Sequence, residues 1–130
     1  MTKKLSINPA SGEVNRELEL YSAQKVNEAI KKAQHAFLDW KKLDIADRAN
    51  HFKNASKVLR NKKQELGELI TMEMGKTIKE SVPEVEKCAW ALDYFVDNAE
   101  QFLDKELVKT DAQTSFITVE PLGIILSIMP

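Results

Sequence analysis

The stretch "EPLGIILSIMP", Glu120 to Pro130, decides how the rest of the chain is read. From Leu122 to Met129 it is almost continuously apolar. That is the composition of a strand covered on both faces, inside a parallel sheet flanked by helices. A lone strand cannot satisfy its own backbone N–H and C=O groups, and the sequence before it supplies no other strands of this kind. The segment therefore implies either pairing with another copy of the chain or the front part of a larger α/β protein.

Just upstream, "TSFITV", Thr114 to Val119, is rich in β-branched residues and is expected to be extended, with Pro121 and Gly123 separating it from the apolar run. Before it the pattern is helical. Val82, Val85, Ala89, Leu92, Val96, Ala99 and Leu103 recur at three and four, predicting a helix from Thr77 to about Leu103. Pro83 would cost least if the helix restarted with Ser81 as cap and Glu84 at its third position, so a kink or restart is expected near Ser81.

Three shorter helices precede it. Leu66, Leu69 and Ile70 form a stripe between a capping-box pair, Asn61 and Gln64, and a left-handed stop at Gly75. Ile45, Ala49, Phe52 and Leu59 mark a helix from cap Asp44 to about Arg60, and Val26, Ala29, Ile30, Ala33, Ala36, Phe37 and Trp40 mark one capped by Ser22. The opening "KLSINPASGEV" places two short apolar pieces around the turn-forming Asn8-Pro9-Ala10-Ser11-Gly12, which points to a hairpin. The segment is thus mostly α: a hairpin, four helices and two extended pieces.

With 43% hydrophobic and 30% charged residues, the 130-residue chain has the composition of one soluble globular domain. A net charge of -1 gives no positive field to recruit nucleic acid or an anionic membrane. The first thirteen residues lack the apolar core of a secretory signal, and the apolar C-terminal run falls far short of the roughly 20 residues of a membrane-spanning helix. A cytoplasmic location is expected, and a single cysteine, Cys88, fits a reducing compartment.

A search for chemistry finds no complete site. "GKT" at Gly75 to Thr77 resembles the end of a phosphate-binding loop, but Ile70 stands where the motif needs glycine, and a helix stop followed by a helix cap is the better account. Gly12, Gly67, Gly75 and Gly123 are too far apart for a dinucleotide fingerprint. His35 and His51 lie off the apolar stripes without metal-ligand spacing and read as surface residues; no metal is expected. Cys88 reads as a small packing residue in register with Phe95 and Phe102, and Trp40 and Trp90 as core residues. Glu73, at a helix end between Met72 and Met74, reads as structural rather than as a general base.

Five stretches in order, "INPASGE", "AQHAFLDWKKLDIADRA", "ITMEMGKTIKE", "EVEKCAWALDYF" and "EPLGIILSIMP", resemble the N-terminal quarter of NAD(P)-dependent aldehyde dehydrogenases. "MEMGK" and "ILSIMP" are most similar to the succinate-semialdehyde dehydrogenase branch. The resemblance implies an α/β, Rossmann-type fold, of which residues 1–130 form the helical part of the cofactor-binding domain. It implies that residues 110–120 belong to an arm through which subunits form a homo-oligomer, and that residues 121–130 are the first strand of the dinucleotide-binding sheet. Ile128, Met129 and Pro130 match positions bordering NAD or NADP, and the faces near Trp90 and Tyr94 resemble those approaching the substrate tunnel.

In that family a cysteine thiolate attacks the aldehyde, hydride passes to the nicotinamide, and water activated by a glutamate hydrolyses the thioester. The resemblance puts the nucleophile, the base and the oxyanion-stabilising asparagine beyond Pro130, and Cys88 at a helical position instead. The chain by itself is expected to be inactive, with no catalytic residue of its own. The competing expectation is a non-enzymatic helical oligomerisation module, whose strands pair between copies or with a full-length relative, or a relic of the same family.

Overall fold

The computed structural model describes residues 3–129. An antiparallel hairpin comes first, β1 (Lys3–Ile7) paired with β2 (Val14–Glu19), with an irregularity in register between Ser6 and Ile7. Its turn is the expected one. The Asn8 side-chain oxygen accepts from the backbone N–H groups of Ala10 (2.9 Å) and Ser11 (3.3 Å), and Gly12 takes a left-handed φ of 76°.

Helix α1 (Ala23–Trp40) is capped by Ser22, whose hydroxyl accepts from the Lys25 N–H, and α2 (Ile45–Asn61) by Asp44, whose carboxylate accepts from the Asp47 N–H at 2.7 Å. The Asn61–Gln64 capping box does not form. Asn61 is the last residue of α2, and Lys62, at φ −104° and ψ 11°, joins it directly to α3 (Lys63–Met74). Chain continuity between the two helices leaves no extended residue at 61 to act as a cap; the Lys62 ammonium bonds Glu65 instead, at 3.2 Å. Gly75 ends α3 in the left-handed region at φ 72°, as expected.

Helix α4 runs unbroken from Ile78 to Leu103, so of the kink or restart expected near Ser81 the restart is absent. Thr77 precedes the helix, and the N–H groups of Glu80 and Ser81 both bond its carbonyl. Pro83 sits at the sixth position and removes one donor. Ser81 is fully buried, its hydroxyl 3.0 Å from the Thr77 carbonyl and 3.2 Å from the Thr71 hydroxyl of α3, which holds the first turns in place around the proline.

The core lies where α4 crosses α2 and α3. Its buried residues are mostly small: Ser56 on α2, Gly67 on α3, and the row Ser81, Val85, Ala89 spaced by four along α4. Small side chains in such a ridge let helix axes approach closely. A Cβ placed on Gly67 would fall 2.6 Å from Val82 Cγ2, a measure of how near the two backbones come. The hairpin docks on the far end of α3: Asn15 donates to the Met72 carbonyl at 2.9 Å, Ser6 to the Glu73 carboxylate at 3.1 Å, and the Pro9 ring lies against Gly75.

Three expectations about burial are corrected. Cys88 is exposed, because α2 and α3 cover the 81–85–89 row and leave its side of α4 open to a surface lined by Lys76, Glu84 and Lys87. Trp90 is 61% exposed and belongs to an outward aromatic group, its ring 6.1 Å from that of Tyr94, which in turn meets Phe95 and Phe102. Trp40 is partly exposed and rests on His51, ring centres 5.2 Å apart. The α1 stripe is amphipathic as expected, yet no residue of that helix is buried, and Val26 and Ile30 face solvent.

After α4 a two-residue strand the sequence did not disclose, β3 (Glu106–Leu107), pairs antiparallel with β4 (Phe116–Ile117). Of the extended stretch expected at Thr114 to Val119, only β4 is hydrogen-bonded as strand. Leu122 to Met129 joins no sheet among the described residues, and Leu122 is 97% and Leu126 84% exposed. No helix among the described residues is long and apolar enough to cross a membrane.

Candidate functional site

The residues expected to border a dinucleotide are Ile128, Met129 and Pro130. The first two are 85% and 80% exposed on the unpaired C-terminal segment, and Pro130 lies outside the described residues. The structure does not bring Ile128 and Met129 into any sheet. The glycines do not gather either: Gly67 is consumed by helix packing and Gly75 by the end of α3. In "GKT", Lys76 pairs with Glu84, which raises the Lys76 pKa through that hydrogen bond, and Thr77 donates to Glu80 at 3.0 Å. The motif is a helix junction, as its spacing indicates.

Glu73 accepts from Ser6 and ties the hairpin to α3, which supports its structural reading. Among the described residues no group of three or more histidine, cysteine, aspartate or glutamate side chains could hold a metal ion.

Two features were not anticipated. The first is a polar clamp between α2 and α4. The buried Ser56 hydroxyl accepts from the Arg60 guanidinium, whose other arm reaches the Asp93 carboxylate at 2.5 Å. The Ser56 hydroxyl and then the Arg60 guanidinium hold the Asp93 carboxyl below the ordinary aspartate range. A carboxylate kept ionised in this way orients helices; it is a poor proton acceptor at neutral pH. An arginine four residues after a serine was a legible helical pair, but nothing in the sequence paired it with Asp93.

The second is an apolar groove of about 200 Å³ between the start of α2 and the end of α4, lined by Trp40, Ile45, Phe52, Phe95 and Leu103 with Arg48 at its side. The stripes of both helices were visible in the sequence; the gap between them was not.

The aldehyde dehydrogenase family model matches residues 2–130. A Synechocystis protein named "Probable succinate-semialdehyde dehydrogenase [NADP(+)]" is 38% identical over 125 residues, covering 96% of this chain and 28% of its own length. The Escherichia coli succinate semialdehyde dehydrogenase Sad is 36% identical over 129 residues, covering 99% of this chain and 28% of its own. Among solved structures, the succinic semialdehyde dehydrogenase of Streptococcus pyogenes, determined in complex with NADP+, superposes with a TM-score of 0.82 at 26% identity, over 88% of this chain and 25% of that one. The chain thus spans a little over a quarter of the length of the relatives it matches. A family match that runs through the hairpin, all four helices and the exposed apolar segment alike establishes that this chain belongs to the aldehyde dehydrogenase family.

Proposed function

We propose that this chain serves as the N-terminal helical part of the cofactor-binding domain of a cytoplasmic, oligomeric aldehyde dehydrogenase that oxidises an aldehyde, succinate semialdehyde first among candidates, to the carboxylic acid with NAD or NADP. The observation that carries the reading is the family match continuing through Leu122 to Met129 while those side chains stand in solvent. A continuously apolar, exposed segment of this kind fits a strand in the interior of a sheet that other residues complete. The relatives' names support the choice of aldehyde and cofactor.

On this reading the catalytic groups belong to other residues of the enzyme, and Ile128, Met129 and Pro130 border the dinucleotide once those residues complete the sheet. The 130-residue chain alone is therefore expected to oxidise no aldehyde. Residues 110–120 are assigned to an intersubunit arm; Phe116 and Ile117, apolar and exposed on a two-stranded ribbon, suit that role.

Two assays test the proposal. The purified chain, supplied with NAD or NADP and short-chain aldehydes including succinate semialdehyde, should give no rise in absorbance at 340 nm. A chimera in which it replaces the matching segment of the Escherichia coli relative should give one. Turnover by the chain alone, or a soluble and folded chimera without activity, would overturn the proposal. The second outcome would favour a non-enzymatic helical module, a reading that the bare apolar face of α1 also supports.

A further inference from the structure

We draw no further inference here: the strongest candidate, the apolar groove between α2 and α4 lined by Trp40, Ile45, Phe52, Phe95 and Leu103 with Arg48 at its side, carries nothing because nothing in the structure shows what covers it.

Discussion

Replacing Gly67 by alanine sets two effects of similar size against each other, and the structure decides the sign. Alanine in a helix interior is favoured over glycine by about 1 kcal/mol. Against this, the added Cβ would lie 2.6 Å from Val82 Cγ2 and 3.2 Å from both the Cα and the N of Val82. The methyl cannot swing aside, since a β-branched residue in a helix is held in one χ1 rotamer. The main-chain contacts would persist even if it did. Relief requires α3 and α4 to separate along the row that buries Ser81, Val85 and Ala89.

Overpacking of this kind costs about 1–3 kcal/mol, and contact with rigid backbone places it in the upper part of that range. The net expectation for Gly67→Ala is a loss of about 1–2 kcal/mol. With a urea slope of about 2 kcal/mol/M, the midpoint should fall by about 0.5–1 M in a titration followed by circular dichroism at 222 nm. Adding Val82→Ala removes Cγ2 and should recover part of the loss, a coupling measurable in a double-mutant cycle. A Gly67→Ala midpoint at or above that of the parent chain would mean that propensity alone operates and that the helices are not in close contact.

Gly75→Ala combines a left-handed φ of 72° with a Cβ 2.8 Å from the Pro9 ring, so a loss of about 1–2 kcal/mol is expected in the same titration, together with faster hydrogen exchange at the Asn15 side of the hairpin. The Asp93 carboxyl has a lower pKa folded than unfolded, so its clamp with Ser56 and Arg60 stabilises above the unfolded value, about 3.9, and that contribution is lost as pH falls through the lower, folded value. Asp93→Asn should accordingly lower the urea midpoint at pH 6 and lose its disadvantage as pH falls below the unfolded value; equal midpoints at pH 6 would remove the clamp from the account. The bare Leu122 and Leu126 should make the chain self-associate as its concentration rises, and Leu122→Asp with Leu126→Asp should reduce light scattering without changing the helical spectrum. Scattering that is unchanged by the pair would locate the sticky surface elsewhere.

Local chemistry was legible wherever one residue acts on its immediate neighbours. Ser22 and Asp44 cap α1 and α2, Asn8 and Gly12 shape the hairpin turn, and Gly75 stops α3 because each requirement is met within a few residues of sequence. The failures concern what lies across a helix. Lys62 displaced the Asn61 cap because α2 and α3 share one junction, and Ser81 proved to be an interhelical contact rather than a helix start. The pairing of Glu106–Leu107 with Phe116–Ile117 depends on a loop whose closure the sequence does not announce.

Apolar periodicity identifies the face a helix will bury, but burial needs a second surface. Here the two have come apart. The stripes of α1 and the run Leu122 to Met129 were the plainest hydrophobic signals in the chain, and both are largely in solvent. Apart from Val85, the buried positions are Ser56, Gly67, Ser81 and Ala89, none of them a large apolar residue. The reason is geometric: three helices crossing at close range bury whatever is small enough to permit the approach, while larger apolar side chains project past the crossing. A structure whose interior selects for smallness and whose exterior carries Val26, Ile30, Trp90, Phe95 and Leu126 has its helix–helix spacing fixed before its largest apolar surfaces are covered. If the chain works as proposed, as part of an aldehyde dehydrogenase, the small-residue crossing stabilises this segment and the large exposed side chains are the ones available for contacts with the rest of that enzyme.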